Sequence, residues 1–215
     1  MEYLVENYYL LVAGVAILVV GLAVYLPRKR RKDLEALAVS MGLPFSAQGP
    51  DTGGTGLELF RAGHSRSAAN RIEARVLDFT INVFDYSYVT GSGKHRNSHN
   101  FTLALIRCPG TGVPVFDLKP ETFLYKLGEL VGFKDIDLPA FPLFSEKYRL
   151  TGPNETAAHV FFTPRRAAWF EVNPGLRVQG APGWVLFFRK EGRLRVADWQ
   201  PFIEEAKAFA AEVLR

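Results

Sequence analysis

The sequence predicts an α+β protein: an N-terminal transmembrane helix, then one domain with a mainly antiparallel sheet and packed helices. Three observations predict it. Tyr8 to Leu26 contains no charged residue and is followed by Pro27 and a basic run. Beyond it, strand-like segments come in sequence, then helical ones, then strands and a helix again, without the alternating βαβ units of a doubly wound fold. The last fifteen or so residues carry the strongest helical stripe in the chain.

The apolar stretch is long enough. At about 1.5 Å per residue, roughly 19 residues reach about 28 Å, near the hydrocarbon thickness of a bilayer. Tyr8, Tyr9 and Tyr25 stand at its two ends, where amphipathic rings favour the interface. A cleaved leader is disfavoured: the opening MEYLVEN is acidic, and a proline and five basic residues stand where a small-residue cleavage site would be needed. Arg28, Lys29, Arg30, Arg31 and Lys32 are read as the membrane-interface residues, a topology signal that also attracts anionic lipid. The positive-inside rule then puts the N-terminus outside and the rest in the cytosol, as a single-pass protein of the inner (plasma) membrane.

The 215 residues divide as an anchor (1–27), a basic stop with a short helix and flexible linker (28–56), and a cytosolic α+β domain (57–215). Charge follows the same division. Of 26 Lys and Arg and 22 Asp and Glu, residues 1–32 hold five and two, leaving 21 and 20 for the remainder. So balanced a domain argues against a nucleic-acid surface. One cysteine excludes an internal disulfide and a thiolate zinc cage.

Pro27 is expected to break the first helix, and Leu34, Leu37, Ala38 and Met41 to line a second, short one closed by Gly42. Residues 46–56 read as a Gly/Pro-rich loop, without a phosphate-binding Gly-Lys-Ser/Thr sequence. Strands are expected at 57–61, 68–76, 79–89 and 101–108, with the polar GSGKHRNSH as a hairpin tip between the last two. In 79–89 the apolar residues switch from odd to even positions, which predicts a bulge near Phe84–Asp85. A strand at 113–118 precedes a helix opened by Pro120, with Phe123, Leu124, Leu127, Leu130 and Val131 as its stripe. A short strand is expected at 147–150. Asn154 and Thr163 are candidate helix caps, and strands at 176–180, 184–190 and 193–196 lead into the final helix. In that helix Trp199, Phe202, Ile203, Ala206, Phe209, Ala210 and Val213 share one face, and three glutamates on the other disfavour a membrane-surface role, so the stripe is read as core.

The stretches LEALAVSMGLPF, LFRAGHSRSAANRIEA, VFDYSYVTGSGK, PVFDLKPE, GFKDIDL, FPLFSEKYRLTGPNETAAHVFFTP and WVLFFRKEGRL resemble a family of bacterial single-span membrane proteins. The resemblance covers most of residues 33–195 and implies an N-terminal span, a basic stop and one cytosolic domain. It implies no activity and no catalytic residue.

Residue chemistry gives little for catalysis. His64, Asp85 and Tyr86 are the alternative site, since with Ser65 they supply hydrolase-like groups, but there is no G-x-S-x-G elbow. Asp85 falls on the Phe79–Ile81–Val83 face and needs a cationic partner, for which Arg71, Arg75 and Arg107 are the candidates. His95 and His99 read as solvated loop residues, His159 as a partly buried helix residue and Cys108 as a small core residue. Asp135, Asp137 and Glu146 lack a calcium-loop spacing. The basic tip Lys94, His95, Arg96 and His99 reads as a solvated turn, with anionic headgroups or an acidic partner as the alternative. No cofactor and no metal are expected. The expected partners are the lipid bilayer and a protein, with no nucleic acid. Two classes follow: a noncatalytic binding or scaffold module at the inner leaflet, or a membrane-associated hydrolase.

Overall fold

The computed structural model describes residues 2–121, 133 and 135–215, with side chains from residue 12 onward. It shows an N-terminal apolar helix followed by an α+β domain. Among the described residues an eight-stranded antiparallel sheet runs in the order 45–48, 64–76, 79–90, 97–107, 184–188, 177–181, 116–120, 148–151.

Helix α1 spans Glu2–Ser40 without interruption, with Pro27 inside it. The expected break is therefore absent. An interior proline removes one backbone hydrogen bond. The residues that follow, rich in Arg, Lys, Leu and Ala, are strong helix formers and carry a Lys29–Asp33 pair one turn apart at 3.1 Å. Packing completes the argument: Leu34 and Ala38 are fully buried in the domain core, whereas residues 12–29 are exposed. The helix is long and apolar enough to cross a membrane. Gly42 ends it at φ +66°, a left-handed turn that costs a β-carbon-bearing residue but not glycine.

Strands β1 (Phe45–Gln48), β2 (His64–Val76), β3 (Phe79–Thr90) and β4 (Asn97–Arg107) form one half of the sheet. β1 replaces the start of the expected loop, because its backbone pairs with the edge of β2 from Phe45–Ile72 to Gln48–Ala69. Residues 58–60, expected as strand, form a 3-10 turn that inserts Leu59 and Phe60 beneath the sheet.

The expected bulge in β3 is not there. β3 and β4 pair without a shift from Thr80–Arg107 to Thr90–Asn97. The irregularities lie in the neighbouring β2, between His64 and Ser67 and between Ala69 and Ile72, where Ser65 and Asn70 take positive φ. β3 carries apolar residues on both sides because both faces of the sheet are buried. Phe79, Ile81 and Val83 meet α1 and the C-terminal helices, while Phe84, Tyr86 and Tyr88 join Phe101, Leu103, Phe60 and Phe188 on the reverse.

The second half comprises β5 (Phe116–Pro120), α2 (Pro142–Lys147), β6 (Tyr148–Thr151), α3 (Glu155–Phe161), α4 (Pro164–Val172), β7 (Arg177–Ala181) and β8 (Trp184–Phe188). Pro120 is the last residue of β5; the helix expected to follow it, with its stripe at residues 123–131, lies outside the described residues. Asn154 accepts from the Ala157 amide at 2.9 Å and Thr163 from that of Arg166 at 3.5 Å, so both caps form as expected. β8 joins the halves by pairing with β4, Ala104 opposite Phe187. The strand expected at 193–196 is an extended passage, held by a single bridge between Gly192 and Phe101, then a 3-10 turn at 196–198.

Helix α5 (Trp199–Val213) buries all seven stripe residues. Phe187 stacks on Phe202 and Phe209, with ring centroids 5.3 and 5.2 Å apart, which closes the core over β8.

Candidate functional site

The polar centre of the domain is Asp85. Strand alternation directs its side chain to the face that receives α1, where it is 2% exposed. Arg30 grips both carboxylate oxygens: Nε donates to Oδ2 at 2.7 Å and Nη2 to Oδ1 at 2.8 Å. Its remaining Nη1 donates to the Leu194 carbonyl at 2.9 Å, and the guanidinium lies 5.8 Å from the Trp199 ring centre. Asn70 Nδ2 donates to Oδ2 at 2.9 Å and Thr102 Oγ1 to Oδ1 at 3.1 Å. Thr102 in turn accepts from the Leu194 amide at 3.0 Å. The bulge in β2 brings Asn70 here, and Thr102 stands directly opposite Asp85 on β4.

This is a structural ion pair with four donors on one carboxylate. With both oxygens engaged and its side chain 1% exposed, the carboxylate is closed to substrate. Its partner is the third residue of the basic run, not one of the three strand arginines. Arg75 pairs with Glu73 at 3.0 Å and Arg107 lies opposite Thr80, far along the strand. Of the run, Arg28, Lys29, Arg31 and Lys32 are exposed and Arg30 turns inward.

The alternative site does not assemble. His64 is exposed at the start of β2, with Nε2 2.9 Å from the Gly91 carbonyl and Nδ1 3.0 Å from Ser65 Oγ. Tyr86 follows Asp85 in the strand and so points to the opposite face, against Phe60 at 5.1 Å. Its hydroxyl is buried without a hydrogen-bond partner. Burial pushes its pKa up to about 12, and Tyr88 beside it likewise. A phenol held neutral in this way is neither base nor nucleophile at ordinary pH. Two clefts, about 660 Å³ along α5 and about 520 Å³ between Thr52 and Arg66, are lined by none of the three residues.

These tyrosines make a pH prediction. Their folded pKa lies above the unfolded value near 10, so their contribution to stability is complete below pH 10 and is lost as pH rises toward 12. Each is expected to remove about 2–3 kcal/mol over that window. Urea unfolding at pH 9 and at pH 11.5 measures it. Tyr86→Phe should stabilise the neutral protein by about 1 kcal/mol, by deleting an unpaired buried hydroxyl, and should roughly halve the alkaline loss.

The remaining candidates are dispersed. His95 sits exposed on the tip, but His99 belongs to β4, between Glu191 and Thr90 at 2.8 Å each, stacked on Tyr88. His159 is exposed, where a partly buried ring was expected. Cys108 is buried as expected, and desolvation raises its thiol pKa. Asp135 pairs with Arg149 at 2.6 Å. Among the described residues no three His, Cys, Asp or Glu side chains gather as for a metal. Replacing Lys94, His95 and Arg96 together with serine should change stability by no more than about 0.5 kcal/mol in thermal unfolding, since the tip is exposed.

Sequence reasoning missed a second buried pair. Arg177 Nη2 donates to Asp117 Oδ2 at 2.9 Å, and both residues are at most 1% exposed. Gln179 joins it and accepts the Leu59 amide at 3.0 Å. The available signal was Arg177 and Gln179 alternating with Leu176, Val178 and Gly180 in a strand otherwise without polar side chains.

A family model described as an LPXTG cell wall anchor motif matches residues 5–33, the apolar stretch and basic run. That segment contains no Leu-Pro-x-Thr-Gly sequence. The fold is shared. The crystal structure of the mycobacterial trehalose monomycolate transport factor A, TtfA, superposes with a TM-score of 0.58 over 87% of this chain and 95% of that one, at 14% identity. No curated protein matches the chain by sequence. Together the apolar helix and the anchor-type match point to association with a membrane or the cell envelope.

Proposed function

We propose that this protein is a single-pass inner-membrane protein whose cytosolic domain is a noncatalytic binding or scaffold module. The observation that carries this reading is the Arg30–Asp85 junction. It joins the apolar helix to the centre of the sheet and occupies the one buried carboxylate that catalysis near Tyr86 would have needed. The fold shared with a transport factor supports an accessory role in which the domain engages a protein partner or the leaflet. The five basic residues after the apolar stretch support a cytosolic domain with the N-terminus outside.

Reporter fusions test the topology. A reporter at the N-terminus should be accessible only from outside and one at the C-terminus only from the cytosol. Cleavage of the chain near residue 27, or digestion of the domain by protease added to intact cells, would contradict it. Crosslinking in cells should then capture a membrane-protein partner with the wild-type chain.

A further inference from the structure

We infer that the β3–β4 hairpin tip is a second membrane contact, which reads the charge of the leaflet through Lys94, His95 and Arg96. The inference rests on the membrane-tethered reading above and adds a lipid class to it: anionic phospholipid headgroups.

The geometry follows from where α1 meets the sheet. After the helix ends, the Pro44 carbonyl accepts the amide of Glu73, which lies opposite Asn82. Arg30 contacts Asp85, further along β3. Going back along the helix from its end at Ser40 to Arg30 covers about 15 Å, while the contact on the sheet advances about 10 Å toward Thr90. The helix therefore leaves the domain toward the β3–β4 turn, crossing the strands obliquely. From Asp85 to Thr90 is about 17 Å more of strand, or about 10 Å along the helix axis at that same slant. From Arg30 to Leu26, the last apolar residue of the span, is about 6 Å. The tip beyond Thr90 thus reaches the level at which the helix enters the apolar layer.

The charge at this end is of one sign. Residues 91–98 are exposed and contain Lys94, His95 and Arg96 with no acid. The adjoining loop, tied to β4 by the Gly192 amide on the Asn100 carbonyl at 2.6 Å, presents exposed Lys190 and Arg193. Its acid, Glu191, is engaged by His99. On the helix, Asp33 is paired with Lys29, which leaves Arg28, Arg31 and Lys32 outward at the exit. The opposite end of the same strands is mixed in charge: the β2–β3 turn exposes Leu77 and Asp78, with Arg75 paired to Glu73 and Arg107 exposed beside them. A lysine or arginine near an anionic surface shifts the bound-to-free ratio about fivefold. The hairpin gives the domain a second foothold beside its own anchor, fixing rotation about the helix axis.

The test uses the full chain in proteoliposomes of phosphatidylcholine, alone or mixed with phosphatidylglycerol. Ser92→Cys is labelled with a donor dye; Cys108 is fully buried and stays unlabelled. Energy transfer to an acceptor on the lipid headgroups should rise when phosphatidylglycerol is present and fall at high ionic strength. Adding Lys94→Ser and Arg96→Ser should lower the docked-to-free ratio about 25-fold while the thermal midpoint stays unchanged. Energy transfer indifferent to lipid charge, with the chain retained in the vesicles after carbonate washing, overturns the hairpin contact alone. A chain stripped from the vesicles by carbonate overturns the tether on which it rests.

Discussion

Arg30→Met is expected to destabilise the domain by about 3–5 kcal/mol, the cost of leaving a buried carboxylate without its counter-ion. Methionine keeps an unbranched stem in place, so the loss reports the charge and its three donated hydrogen bonds more than packing. Asp85 is 2% exposed and water cannot replace the missing donors. Adding Asp85→Leu should recover most of the loss, because an apolar pair in a dry site has no unpaired charge. Urea unfolding of the detergent-solubilised full chain, followed by tryptophan fluorescence, measures both variants; Trp199 lies beside the junction and reports on it. A single variant that costs less than about 1 kcal/mol means that the carboxylate finds water after all, and the junction is then not what holds helix to sheet.

Phe209→Ala is the second large effect, again about 3–5 kcal/mol. Phe209 is 1% exposed and its ring packs against Trp169, Phe170 and Phe187 at 5.1, 6.0 and 5.2 Å. Its removal leaves a hole between α4, α5 and β8 that none of these rings can fill without leaving its own rotamer. The thermal midpoint should drop accordingly. A variant that melted like the wild type but lost a partner would make α5 an interaction surface.

The stripe of α5 was legible because seven apolar residues at helical spacing have one simple solution, and the three glutamates on the other face removed the competing one. The caps at Asn154 and Thr163 were legible for a similar local reason. Asp85 was half legible. Its alternation with Val83 showed that it faces inward and must be paired, but its partner lies 55 residues away in a run whose composition already had a sufficient explanation as a topology signal. The β2 bulge, which sets what stands beside Asp85, has no sequence mark beyond Asn70, a residue tolerant of positive φ. The apolar switch in β3 does not by itself specify a bulge, because two buried faces and a change of face produce the same run of residues. The Asp117–Arg177 pair depends on which strands lie side by side, and the β5–β7 neighbourhood is not a sequential one.

The continuity of α1 bears on how the protein is made. The segment around Arg30 leaves the ribosome early, yet one of its ligands is the carbonyl of Leu194, 164 positions later. Leu34 and Ala38 share a core with Val213 and Leu214. During synthesis these early residues have no shelter: their apolar side chains and the inward arginine wait until nearly the last helix is complete. Closure over so long a loop is slow compared with local pairing. The hairpins of β2, β3 and β4 form in that interval, with the α1 face of the sheet open. A nascent chain of this protein therefore carries its greatest aggregation hazard late in translation, and the event that ends it is the docking of α5.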